Sequence, residues 1–120
     1  NLKYGFTNGY NNMKVAIIGC GSIGRRHISN FLTLGCDVIA YNRSKTRRDV
    51  VKKLYKISTY DNLNEIALLQ PDLAVICSPN IFHLDHSLYF AKKKINLFIE
   101  KPLSLIDQNL TKLKSIAKKN

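Results

Sequence analysis

A chain of 120 residues with 45% apolar content is long enough for one domain with its own core and short for two. No apolar run nears the ~20 residues of a membrane span, and no stretch has the charged start and apolar centre of a secretory signal, so a cytoplasmic protein with no membrane partner is expected. The formal charge of +11 is scattered over several segments without interleaved aromatic residues, zinc fingers or RNA-binding motifs, which argues against specific nucleic-acid recognition.

Residues Asn1–Asn12, rich in Asn and Gly, read as an N-terminal extension, with a single domain expected over 13–120. The apolar run Val15 to Ile18 is a strand that breaks into three glycines, Gly19, Gly21 and Gly24, spaced GxGxxG. A helix follows from about Ser22 to Leu34, with Gly35 as its stop. A second strand is expected over Val38 to Tyr41, then a basic helix over Lys45 to Leu54 with Ser44 as N-cap. A short strand around Ile57 to Thr59 leads to a helix over Asp61 to Leu69, which Pro71 cannot continue. Leu73 to Cys77 is apolar throughout, as a strand buried on both faces must be. Pro79 fixes a turn and Asn80 is placed to cap a helix from about Phe82 to Lys93. The fifth strand is expected over Ile95 to Ile99, and a last helix over roughly Ser104 to Lys118.

Five strands alternating with five helices predict an α/β fold, a doubly wound parallel sheet of Rossmann type in three layers, α/β/α. Ligands of such sheets lie beyond the carboxyl ends of the strands, near the point where the winding reverses. The loops at Gly19–Gly24, Asn42–Lys45, Ser78–His83 and Glu100–Pro102 all fall on that edge.

The glycine spacing recurs in purely structural turns, but here it sits between a strand and a helix, the arrangement that binds a dinucleotide. Gly19 lets the strand turn, Gly21 lets a pyrophosphate approach the backbone, and Gly24 lets the helix pack closely on the strand. Free N–H groups near Ser22 and Ile23 would face the phosphates. The acidic residue that accepts the adenosine ribose hydroxyls of NAD is missing after the second strand. Asn42, Arg43, Ser44 and Lys45 stand there instead, a set suited to the 2′-phosphate of NADP, with NAD as the alternative. Arg43 to Lys56 holds seven basic residues and one acid, so a plain solvated basic face is the competing explanation.

The fifth strand ends in Glu100, Lys101 and Pro102. A lysine over the mouth of the sheet, desolvated beside a nicotinamide, can exchange a proton with a substrate hydroxyl or carbonyl. Cys20, Cys36 and Cys77 lack the pairing of a zinc site or redox dithiol and read as reduced, mostly buried thiols. His27, His83 and His86 form no metal set. His27 is either a satisfied helix histidine or a neighbour of the cofactor.

GCGSIGRRH after the first strand, SPNIFH after the fourth and EKPLS after the fifth, in this order over residues 13 to about 118, resemble the family of glucose-fructose oxidoreductase and inositol dehydrogenase. The resemblance implies a nucleotide-binding domain that works with a second α/β domain, which the sequence in hand is expected not to contain. It implies that Gly19, Gly21, Ser22, Ile23 and Gly24 hold the pyrophosphate and that Asn42, Arg43 and Ser44 hold the adenosine ribose. Ser78, Pro79, Asn80 and His83 would line the middle of the cofactor, and Glu100 and Lys101 would flank the nicotinamide, with Lys101 catalytic. The expected function is the NAD(P)-binding part of an oxidoreductase moving hydride between nicotinamide and a sugar, sugar derivative or cyclitol. A free-standing dinucleotide-sensing module or a partner-dependent subunit is the alternative. A small-molecule substrate is expected only where a second domain or chain completes the site, and oligomerisation stays open.

Overall fold

The computed structural model describes residues 13–100. Five strands, β1 (Lys14–Ile18), β2 (Asp37–Tyr41), β3 (Thr59–Tyr60), β4 (Leu73–Ile76) and β5 (Asn96–Ile99), alternate with four helices, α1 (Ser22–Thr33), α2 (Lys45–Tyr55), α3 (Leu63–Leu68) and α4 (Asn80–Lys92). Every strand pair is parallel. The order across the sheet is β3-β2-β1-β4-β5, so the winding reverses between β1 and β4. This is the doubly wound parallel sheet expected from the alternation of elements. The fifth helix expected over Ser104 to Lys118, and residues Asn1–Asn12, lie outside the described residues.

Alternation along β1 builds the three layers. Val15 and Ile17 join Ile28 of α1 and Val51 of α2 in one buried cluster. Ala16 and Ile18 join Ile66 of α3 and Phe90 of α4 in the other. Val15 to Ile18 of β1 are fully buried, as a central strand covered on both faces requires. Each of the valine and isoleucine side chains contributes ~1.5–3 kcal/mol by its burial, which fixes the register of the central strands.

Helix boundaries follow their chemistry. Ser44 caps α2, its side chain accepting from the Arg47 N–H, and Gly35 ends the chain's turn out of α1 at φ 87°. Three expectations need correction. The third strand begins at Thr59 rather than Ile57 and ends one residue later than expected, because Ala40 and Tyr41 of β2 pair with Thr59 and Tyr60. The third helix begins at Leu63, because Asn62 accepts from the N–H groups of Asn64 and Glu65 and so acts as its cap. Asn80 does not cap α4 but is its first residue, and Pro79 holds the N-cap position without a side-chain hydrogen bond. Pro79 brings the required extended backbone by its own ring.

Candidate functional site

The carboxyl edge of the sheet is drawn together by backbone bonds that extend the ladders past the strands. Gly19 donates to the Tyr41 carbonyl at 2.9 Å, Cys77 to the Ile18 carbonyl at 2.7 Å and Glu100 to the Ile76 carbonyl at 3.0 Å. Gly19 has φ +109°, and a Cβ there would lie 2.6 Å from the Ser78 nitrogen; a Cβ on Gly24 would lie 1.9 Å from the Gly19 carbonyl oxygen. Both positions therefore demand glycine for close packing of loop, strand and helix. Gly21 differs. Its φ is −74°, and the nearest atom a Cβ would meet is the far end of Arg47 at 3.4 Å. Among the described residues no close contact demands a glycine there, and its backbone is open to the cleft side of the loop. Gly21 is the N-cap of α1 and offers no side-chain cap, so the first-turn N–H groups of Ser22 and Ile23 are available to an anion.

Beside this loop lies a cleft of about 530 Å³, whose lining includes Tyr41, Asn42, Arg43, Ser44, Ser78 and Pro79. Asn42 ties its two walls. The Cys20 N–H donates to Asn42 Oδ1 at 2.8 Å, which fixes the amide: the oxygen faces the glycine loop and the –NH₂ faces away. Arg43 lies over the Phe82 ring, 4.9 Å from its centroid. Arg48 donates to the carbonyls of Asn42 and Arg43 at 2.9 and 3.0 Å, bracing the end of β2 from below. Arg47 lines both the cleft and a smaller cavity of about 140 Å³ between the starts of α1 and α2, shared with Cys20, Gly21, Ser22, Arg25, Thr46 and Val50.

At the far wall, Ser78 is buried and its Oγ is 2.8 Å from His86 Nδ1. His86 stacks on Phe82 and meets Tyr41 edge-on, each with centroids 5.7 Å apart. Burial holds the His86 pKa below its ordinary value, with the charges of His83 and Arg43 acting in the same direction and Asp85 opposing them. A histidine kept neutral in the fold but free to protonate when unfolded lowers stability as pH falls below its unfolded pKa of about 6.5. Melting should therefore show an acid-side loss of at most about 1.4 kcal/mol per pH unit from this group. His86→Gln, compared with the parent between pH 7.5 and pH 5, should show a shallower decline, and an identical pH slope would remove His86 as its source.

Of the residues expected in the site, Gly19, Asn42, Arg43, Ser44, Ser78 and Pro79 line the cleft, while Gly21 and Ser22 line the adjoining cavity. Ile23 is 39% exposed on the first turn of α1, and Gly24 is buried beneath the loop. Asn80 is exposed at the start of α4. His83 is 3% exposed and does not line the cleft; its Nδ1 and Ser87 Oγ have no hydrogen-bond partner among the described residues. Glu100 pairs with His27 Nε2, a contact that joins α1 to the end of β5 beside Phe31 and Phe98. Lys101 lies outside the described residues. Sequence reasoning missed Tyr41, Arg47, Phe82 and His86. Phe82 and His86 stand four apart on one helix face, and Arg47 three after the cap Ser44, spacings that could have flagged them.

The thiols read as expected. Burial pushes Cys20 up to about 11 against the fields of Arg47, Arg25 and Arg48, and pushes Cys77 up to about 12. Both stay protonated and unreactive near neutral pH. Among the described residues no group of three or more His, Cys, Asp or Glu is placed to hold a metal ion. No helix among them is long and apolar enough to cross a membrane.

A parallel sheet with its glycine loop at the winding reversal, and a cleft running from that loop past the end of β2, defines a Rossmann dinucleotide-binding domain. The chain belongs to the GFO/IDH/MocA oxidoreductase family with an NAD-binding Rossmann fold, whose profile matches residues 13–120. It is 27% identical over 112 residues to D-glucoside 3-dehydrogenase of Escherichia coli, covering 89% of this chain and 32% of that protein. It is 33% identical over 99 residues to myo-inositol 2-dehydrogenase of Thermotoga maritima, covering 78% and 29%. The fold matches the crystal structure of myo-inositol 2-dehydrogenase from Lactobacillus plantarum with a TM-score of 0.80 and 25% identity, over 90% of this chain and 33% of that one. The chain thus spans about a third of the length of the relatives it matches.

Proposed function

We propose that residues 13–120 form the cofactor-binding part of a dehydrogenase that moves hydride between a nicotinamide and a sugar, sugar derivative or cyclitol, with NADP preferred to NAD. The observation that carries the reading is the junction of glycine loop and cleft, where an uncapped helix start meets a rim bearing guanidinium groups and no carboxylate. The pyrophosphate is held by the first-turn N–H groups of Ser22 and Ile23, above Gly21. Arg43 and the α4 wall would take the adenosine, with Asn42 and Ser44 at the ribose. Ser78 and Pro79 would line the middle of the cofactor, and Glu100 would flank the nicotinamide. When bound, the nicotinamide supplies or accepts the hydride. Lys101, next in the chain after Glu100, takes or returns the proton of the substrate oxygen. Substrate contacts come from a second domain or a partner chain, the lengths of the relatives being the support for that division.

Two measurements on the 120-residue chain test this. Calorimetric titration at low salt should give NADP an affinity about ten-fold or more above NAD, equivalent to ~1.4 kcal/mol. Equal affinities would defeat the NADP preference, and no binding of either would defeat the whole reading. With saturating cofactor and a panel of sugars and polyols, turnover should stay below ~1 per second, under the common enzyme range. Faster turnover would show that the substrate site is already complete in these residues.

A further inference from the structure

The contact between His27 and Glu100 ties α1 to the end of β5 at the carboxyl edge of the sheet. His27 stands in the second turn of α1, the helix whose first turn faces the glycine loop, and Glu100 follows the last residue of β5. Their side chains are only 19% and 24% exposed. Phe31 lies beside the imidazole with centroids 6.3 Å apart and Phe98 meets it edge-on at 5.8 Å, so rings on two sides hold it in place. The Glu100 backbone is fixed as well, its N–H donating to the Ile76 carbonyl at 3.0 Å. A carboxylate accepts and cannot donate, so the proton of the contact sits on His27 Nε2. The charge of Glu100 reaches the end of β4, where it is the next cause after burial that pushes the Cys77 thiol up to about 12. Two apolar side chains would join α1 to β5 without taking a charge out of water.

The order β3-β2-β1-β4-β5 sets the glycine loop in the middle of the edge, and a dinucleotide laid across the winding reversal has one nucleoside on either side of that loop. With adenosine at the end of β2, the nicotinamide falls on the side of β4 and β5, where Glu100 follows the strand. The oxidised nicotinamide ring carries one positive charge that the reduced ring lacks. A carboxylate fixed beside it attracts the first and is nearly indifferent to the second. We propose that His27 is a positioning residue that holds the Glu100 carboxylate against the nicotinamide site, and that the pair selects the oxidised cofactor over the reduced one. The assignment rests on the dinucleotide reading above. It is independent of the choice between NADP and NAD, since the charge difference is the same in both couples. One helix carries both the N–H groups for the pyrophosphate and His27, which keeps the carboxylate in register with the bound phosphates.

Calorimetry on the 120-residue chain with NADP⁺, NADPH and 2′-phospho-ADP-ribose, which lacks the nicotinamide, tests the assignment, with melting curves to check that each variant folds. The quantity read is the ratio of the reduced to the oxidised dissociation constant. Glu100→Gln, nearly isosteric, should lower that ratio by about ten-fold, equivalent to ~1.4 kcal/mol of lost attraction. His27→Leu, which keeps an apolar body between Phe31 and Phe98, should lower it by about three-fold or more as the carboxylate leaves its place. His27→Gln, whose amide N–H can replace the Nε2 donor, should bring the ratio back to within about two-fold of the parent. Affinity for 2′-phospho-ADP-ribose should stay within about two-fold of the parent in all three. An unchanged ratio in Glu100→Gln would overturn the assignment. So would equal weakening of all three ligands in His27→Leu, the mark of a contact that only joins α1 to β5. In either event binding by the parent leaves the dinucleotide reading standing. A parent chain that binds none of the three defeats both.

Discussion

Gly21→Val should abolish dinucleotide binding in a chain that still folds. The position has φ −74° and ψ −169°, an extended backbone that valine adopts readily. Only the flexible end of Arg47 stands within reach of a new Cβ, at 3.4 Å. The cost to stability is then that of a poor N-cap, about 1 kcal/mol. The isopropyl group, however, would stand over the first-turn N–H groups of Ser22 and Ile23, and losing two charge-assisted hydrogen bonds at ~1.5–3 kcal/mol each removes two orders of magnitude or more in affinity. Gly24→Ala is the control of opposite character. Its Cβ falls 1.9 Å from a backbone oxygen that cannot move without Gly19 and β1, so it should cost ~3 kcal/mol or more by overpacking. Calorimetry with melting curves reads both quantities, and unchanged affinity in folded Gly21→Val would end the assignment of the loop to the pyrophosphate.

The contrast shows where the sequence was legible. The order of elements follows from short apolar runs between turn residues, and β1 and β4 were read within a residue because strands buried on both faces cannot include polar positions. The weaker readings fell where side-chain chemistry decides between neighbours. Asp61 and Asn62 are both good caps, and only the structure shows Asn62 accepting from Asn64 and Glu65. The two-residue β3 is set by its pairing with β2, which no local signal specifies. In the site, the backbone positions of the loop were legible from their glycines, whereas the walls were not. Phe82 and His86 line the cleft because α4 begins at Asn80, two residues earlier than expected, and the pairing of His27 with Glu100 joins residues 73 apart. His83 carries the motif yet turns into the interior. A motif names positions, and the helix start and phase decide which side chains face the ligand.

Asn42→Asp should invert the cofactor preference without loosening the loop. The Cys20 N–H needs an acceptor, now supplied by Asn42 Oδ1 at 2.8 Å, and an aspartate carboxylate provides one equally well. The amide –NH₂ on the other side becomes a second oxygen with a full share of negative charge. Toward a ribose diol that oxygen is an added acceptor, which favours NAD. Toward a 2′-phosphate it is a like charge. Two unit charges 4 Å apart at an effective dielectric of 20 repel by ~4 kcal/mol, and a third of that, after screening in a half-exposed cleft, already corresponds to about ten-fold. NADP affinity should therefore fall by ten-fold or more, and NAD affinity should hold or rise. Added salt should narrow the difference, since the Debye length drops to ~3 Å at 1 M. Asn42→Leu separates the two roles of this side chain: it removes the acceptor, leaves the Cys20 N–H unpaired at a cost of ~1–3 kcal/mol, and should weaken both cofactors by a common factor together with the melting temperature. If Asn42→Asp weakens NADP and NAD alike, the residue acts on the loop alone and the preference for NADP does not arise at the end of β2.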